Sequence, residues 1–307
     1  MIENTATAKA DRKRRARAQA QRRPAWWFVL PAAAFYVFVV VAPGLQGVVY
    51  SFTDWNGINL NFDFIGFDNY VRLVNDPIAQ GAIVHTLIIA AGITIIQVGL
   101  GLVLALALHT QIRGRNIYRA LFFAPVLIMP IVTSYLWKYI LGTTGPLNQI
   151  LDGVGLGFLK QAWLGEQETA LTWIILVSVW QGCGVSMAIF LAGLESIPVE
   201  LLEASELDGA GRISKFRNIM LPLLGPAMSV STLLVLISSI RSFDQVWILT
   251  QGGPAYKTDT LATRMYASAF QLGEFSYGVT FAVVLALIVA VLAIIQQQFV
   301  RRRDALV

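Results

Sequence analysis

The charged side chains that could engage another molecule gather in one short stretch between long apolar runs. Residues 195–222 hold five acids (Glu195, Glu200, Glu203, Glu206 and Asp208) beside Arg212, Lys215 and Arg217. Carboxylates and cations at that density suit charge-assisted contact with a second polypeptide. Ser196 and Pro198 make a helix start, since serine can cap and proline is tolerated in the first turn. Val199 to Leu207 are helix formers, with Leu201, Leu202 and Ala204 offering apolar contact. Gly209 and Gly211 end that helix, because glycine reaches the left-handed conformation of a C-cap. A second helical segment begins near Arg212 and is cut by Pro222. Two short helices meeting at a glycine elbow have a shape for docking.

A second polar set is embedded in apolar sequence. Ser238, Arg241, Ser242 and Gln245 recur at i, i+3, i+4 and i+7, one face of a continuous helix. Asp244 stands three residues from Arg241, within reach of a pair on the helix surface. Ionisable groups at membrane depth face a cavity, a partner or each other. Two readings stay open: the outer half of a polar path, or an Arg241–Asp244 pair that stitches this segment to another. Trp180 and Phe243 lie in the same regions; rings can meet the apolar face of a bound molecule, but core packing is the better expectation for each alone. His85 and His109 sit near opposite ends of one apolar run, too far apart to share a metal, and read as interfacial. Cys183 is the single cysteine, so no disulfide forms within one copy. No Gly-x-x-x-x-Gly-Lys-Ser/Thr loop and no acid–base or metal cluster is present, so the expected chain is not an enzyme and carries no cofactor.

The elements that position these residues are membrane helices. Of 307 residues, 56% are hydrophobic and 13% charged, against about 25% charged in soluble domains; mean hydropathy is +0.63. Six apolar segments, at roughly 26–50, 82–108, 119–141, 170–192, 223–249 and 277–299, are each near the ~20 residues a bilayer needs. The expected fold is all-α integral membrane with six transmembrane helices. Trp26 and Trp27 fall where an interfacial aromatic belt belongs. Pro31, Pro43, Pro125 and Pro130 lie inside spans, as membrane helices tolerate when neighbours satisfy the freed carbonyls. Residues 1–23 form a basic tail of eight cations, and 24–307 one transmembrane domain that contains the loop 195–222. Despite a pI near 9.4, a tail followed at once by a span points to anionic lipid headgroups and not to nucleic acid. The first apolar run is too long for a signal peptide and has no clear small-residue cleavage site. With the N-terminus inside, seventeen basic residues fall on one side and four on the other. Both termini and the charged loop between spans 4 and 5 are therefore expected in the cytoplasm of a multi-pass cell-membrane protein.

The charged loop also resembles a family motif. Glu-Ala-Ala, three residues, Gly, nine residues and Ile-x-Leu-Pro mark the membrane subunits of binding-protein-dependent ABC importers. Here the pattern falls on Glu203, Ala204, Ser205, Gly209, Ile219, Leu221 and Pro222 with every spacing kept, Ser205 replacing the second alanine. Gly-Phe-Asp-Asn-Tyr (66–70) and Leu-Thr-Gln-Gly-Gly-Pro (249–254) resemble outward segments of sugar permeases, and the Gly-Gly-Pro loop looks like the maltose-type larger-partner permease. That resemblance implies a second permease subunit in a heterodimer, two ATP-binding-cassette ATPase subunits that hold ATP and Mg, and an extracytoplasmic solute-binding protein delivering a sugar or polyol. It implies ATPase coupling through Glu203, Ala204, Ser205, Asp208, Gly209, Leu221 and Pro222. It also implies a substrate path at Ser238, Ser239 and Ser242 and around Ser178, Gln181 and Val185, to which the polar face adds Arg241, Asp244 and Gln245. Serines stand where the resembling permease has larger amide or aromatic groups, so the particular sugar does not carry over. Three rivals are a permease of this class for another solute, a secondary transporter and a membrane-embedded enzyme. Internal repeats with broken helices at corresponding places would favour the second; no such pairing is legible.

Overall fold

A computed structural model describes residues 26–59, 61–110 and 112–304. The basic tail at 1–23 lies outside the described residues, as do the side chains of Trp26 and Arg301 to Arg303. Among the described residues every regular element is helical, and the only bridge pairs Thr53 with Phe64. Residues up to Val49 form one unit and those from Tyr50 a second. The first holds α1 (Trp26–Tyr36), a π-helical turn (Val37–Val41) and all but the last residue of α2 (Ala42–Tyr50). Trp27–Tyr50 is 24 residues of apolar helix, long enough to cross a bilayer.

The second unit is built on two long helices, α4 (Pro77–His109) and α8 (Ala170–Glu195), preceded by the short α3 (Asp68–Asn75). Both long helices are apolar almost all round, as helices between lipid and a packed interior must be. Their backbones approach closely at Gly101, where an added Cβ would stand 2.5 Å from Ser186 Cβ and 2.9 Å from the Met187 nitrogen. Small residues at helix crossings serve this end in membranes, where dispersion contacts and not hydrophobicity hold helices together. Ile89, Ile93, Ile174, Val177 and Val235 form one buried apolar cluster; Leu108, Phe190, Leu194 and Leu224 belong to another.

Four helices are long and apolar enough to cross a membrane as single rods: Trp27–Tyr50, Pro77–His109, Ala170–Glu195 and Phe275–Gln298 within α15 (Phe275–Asp304). The third and fifth expected spans are not rods. In the third, α5 (Arg115–Phe123) and a 3-10 turn (Ala124–Leu127) meet α6 (Pro130–Ile140) at 98°. Pro125 and Pro130 each remove an amide donor, and the helix opens between them.

At the entrance to the fifth (223–249), α10 (Arg212–Lys215), a π turn (Phe216–Met220) and α11 (Leu221–Leu223), which belong to the charged loop, meet α12 (Gly225–Ile240) at 67°. Pro222 therefore does not cut the segment as its position suggested. The wide π turn places it in the first turn of α11, where no amide is needed, and the break follows at Leu224. A second break follows α12: Arg241 is its C-cap, and the helix resumes as α13 (Asp244–Leu249).

Candidate functional site

Two of the breaks, the bend of the third span and the one after α12, meet at one cavity. A cavity of about 620 Å³ lies between α4, α8, α12, α13 and the bend of the third span. All nine residues expected along a polar path line it: Ser178, Gln181, Val185, Ser238, Ser239, Arg241, Ser242, Asp244 and Gln245. They do not share one helix face, because α12 stops at Ile240; the path residues beyond it sit on the break and on α13. The break still presents them to the same space.

The inner wall is buried and self-bonded. Gln181 Nε2 donates to the Ile128 carbonyl (2.8 Å), and Gln245 Nε2 donates to Gln181 Oε1 (2.7 Å). The Ser178 hydroxyl reaches Gln245 Oε1 (2.5 Å). Gln97 of α4 donates to the Gly182 carbonyl (3.0 Å), in a crossing so close that a Cβ on Gly182 would lie 2.6 Å from Gln97 Oε1. Ser239 is buried and bonds back to Leu236 (3.0 Å), and Ser238 to Val235 (2.9 Å). Buried polar groups need such partners, since an unsatisfied one costs about 1–3 kcal/mol.

Arg241 and Asp244 behave differently. Both are exposed to the cavity. The pair their spacing suggested is absent among the described residues: the five ion pairs are Arg72–Glu274, Arg119–Glu195, Lys160–Asp152, Lys215–Glu206 and Arg264–Asp259. An i, i+3 contact requires helix at both positions. Here Arg241 caps one helix (φ −89°, ψ 7°) and Asp244 opens the next.

Gln97, Ile128 and Phe243 also line the cavity and were not in the expected set. Gln97 is an isolated amide in an apolar run, a signal that sequence carries; Ile128 contributes a main-chain carbonyl, which leaves no signal. Phe243 lies within the cavity wall, stacked on Trp247 at 5.7 Å. Trp180 and Cys183 instead line a separate apolar cavity of about 660 Å³, where Trp180 meets Trp137 edge to face. His85 bonds through Nδ1 to the Asp259 carbonyl (3.1 Å). No group of three or more metal-binding side chains occurs among the described residues.

The charged loop forms α9 (Val199–Leu207) and, across the elbow, α10. Gly209 is left-handed (φ 75°). Its amide donates to Glu206 (3.1 Å) and that of Ala210 to Ser205 (2.9 Å), the double closure of a Schellman C-cap. Gly211 is extended (φ −68°, ψ 165°), so only Gly209 needs to be glycine. Ser196 does not cap α9: its hydroxyl donates back to Gly193 (2.7 Å), and Pro198 precedes the helix without a side-chain cap.

Ser205 is buried, donating to Leu202 (2.7 Å), and Leu202 packs on the second apolar cluster. Lys215 bridges the elbow to Glu206, holding that carboxyl below its usual range. Glu203, Ala204 and Asp208 face outward, and among the described residues Glu203 has no side-chain partner. On the two helices of the loop, Leu207 and Ile213 are 90% and 83% exposed. Bare apolar side chains next to an unpaired carboxylate are what a protein contact would cover.

Residues 97–305 match the family of the binding-protein-dependent transport system inner membrane component. A probable starch degradation products transport system permease protein of Thermoanaerobacterium thermosulfurigenes is 36% identical over 279 residues, 91% of this chain and 94% of that one. A multiple sugar-binding transport system permease protein of Streptococcus mutans is 33% identical, with 88% and 93% covered. The fold is also that of a chain in the crystal structure of a bacterial alginate ABC transporter in complex with an alginate pentasaccharide-bound periplasmic protein. There the TM-score is 0.79 at 21% identity, with 90% of this chain and 93% of that one covered.

Proposed function

This chain belongs to the family of binding-protein-dependent transport system inner membrane components, and from that premise we propose that it imports a sugar or related polyol through the polar cavity. As a member it is a multi-pass inner-membrane permease that works with a solute-binding protein. It is not itself an enzyme; nucleotide is bound and hydrolysed on separate ATPase subunits. The sugar assignment rests on the relatives, whose names specify starch degradation products and multiple sugars.

The carrying observation is the convergence of nine polar-path positions on one cavity bounded by helix breaks. Irregular backbone at membrane depth is tolerated where it is buried or lines a water-filled space. In this reading each bent pair counts as one span, giving six, with both termini and the elbow in the cytoplasm. Residues 24–307 are then the permease domain and 1–23 a solvated basic tail. A second permease in a heterodimer, two ATPase copies and an extracytoplasmic binding protein complete the importer. Glu203, Ala204, Ser205, Asp208, Gly209, Leu221 and Pro222 carry motion from the ATPase, which tilts α9 and α10 and opens the cavity to alternate sides.

Substituted cysteines in a Cys183→Ala background test the path. In the reconstituted importer, transported sugar should slow thiol labelling at Ser238→Cys and Val185→Cys but not at Ile95→Cys, which is exposed on α4 away from the cavity. Equal labelling at all three positions, with and without sugar, would remove the cavity from the path.

A further inference from the structure

The cavity divides into two kinds of polar group. Ser178, Gln181 and Gln245 bond to one another and to the Ile128 carbonyl, so each already has a protein partner and each amide keeps only one further N–H to offer. Arg241 and Asp244 face the same space and make no side-chain hydrogen bond, ion pair or ring contact among the described residues. Their chemistry is complementary. A guanidinium only donates, a carboxylate only accepts, and a hydroxyl does both. Between them in sequence Phe243 places an aromatic ring in the cavity wall. The break after α12 supplies all three within four residues, on backbone free of the helical repeat.

We infer that Arg241 and Asp244 are the residues that select the solute by charge, admitting a neutral ring whose adjacent hydroxyls bond to both, and excluding acidic sugars. One hydroxyl accepts from the guanidinium while its neighbour donates to the carboxylate, and Phe243 meets the apolar face of the ring. A uronate would satisfy Arg241 but set a second acceptor-only anion against Asp244; an amino sugar would meet the converse conflict at Arg241. The inference rests on the reading of this cavity as the sugar path and adds which sugars it takes.

The test uses the importer in lipid nanodiscs with its partner permease and ATPases but without the binding protein, so that only the membrane site selects. Lactose, cellobiose and trehalose are titrated beside counterparts in which one hydroxymethyl is a carboxylate, with saturation-transfer NMR as the readout. At least one neutral sugar should bind about tenfold or more tightly than its uronate. Arg241→Ala and Asp244→Ala should each weaken it about tenfold or more, as loss of a hydrogen bond to a charged group implies. Arg241→Lys should retain part of the affinity, and Asp244→Asn should narrow the gap between sugar and uronate. Gel filtration checks that each variant still assembles.

Equal or tighter binding of the uronates overturns the inference. So do alanine variants within about twofold of the parent, which would leave the cavity reading standing. Loss of the second permease from either variant, with sugar affinity unchanged in the complexes that remain, would assign the two charges to the subunit interface. If no sugar of either class binds, the cavity reading falls as well.

Discussion

Gln181 donates through Nε2 to the main-chain carbonyl of Ile128 at 2.8 Å, so a side chain of α8 closes the open end of the bent third span. The same amide accepts from Gln245 on α13. One residue thus holds two discontinuous spans against a continuous one, at the wall of the cavity. An arrangement with two such joints can rock as rigid pieces without breaking helices elsewhere.

Removing that amide should loosen the joint. Gln181→Leu leaves the Ile128 carbonyl and the Gln245 amide without partners, at about 1–3 kcal/mol each. Thermal unfolding of the purified importer should move down by several degrees, on the scale of about 2–4 °C per kcal/mol that holds for domains of roughly 150–250 residues. Ser238→Ala, whose hydroxyl bonds only within its own helix, should unfold within about 1 °C of the parent.

The close approach of α4 and α8 makes a second prediction. Gly101→Ala must push against Ser186 Cβ and the Met187 backbone, which cannot rotate away, and should cost about 1–3 kcal/mol. Two positions earlier on the same helix, Gly99 has nothing within 4 Å of an added Cβ. Gly99→Ala should be neutral or slightly stabilising, because alanine is the better helix former. Urea or thermal unfolding in detergent compares the two, and equal midpoints would deny the close packing.

At the elbow the prediction separates conformation from crowding. Gly209 has φ 75° but open space around an added Cβ, whereas Gly211 is extended. Gly209→Val should therefore strain the turn by roughly 1–2 kcal/mol, through backbone alone. Gly209→Asn should be milder, and Gly211→Ala should change little. Hydrogen exchange across α9 and α10 would report the ranking; equal protection in the Val and Asn variants would contradict it.

These residues also mark what sequence could and could not convey. The charged loop was legible because its residue types contrast with the apolar runs around it, and Gly209 announced the left-handed turn. The long helices were legible from composition and length. Helix breaks were not: prolines at 125 and 130 are equally compatible with a straight span whose neighbours satisfy the free carbonyls, and only packing decides. The break after Ile240 carries no proline at all, so Arg241 and Asp244 read as helix neighbours when they are not. Ile128 enters the site through its backbone, to which its side-chain identity gives no clue. Gln97, by contrast, was visible as a lone amide in an apolar run and lines the cavity.

The most direct measurement concerns transmission from the ATPase to the cavity. Glu203 is exposed and unpaired among the described residues, one turn from the bare side chain of Leu207, on a helix that ends in the left-handed turn at Gly209. If Glu203 meets the ATPase as proposed, the charge-assisted contact would contribute on the order of 1.5–3 kcal/mol, and Gly209→Val would misdirect the helix that carries it. The Glu203→Ala, Gly209→Val double variant should remain in the membrane at the parent level. It should copurify with markedly less ATPase and lose sugar-stimulated ATP turnover. Parent-level copurification together with parent-level stimulated turnover would contradict a coupling role for this loop.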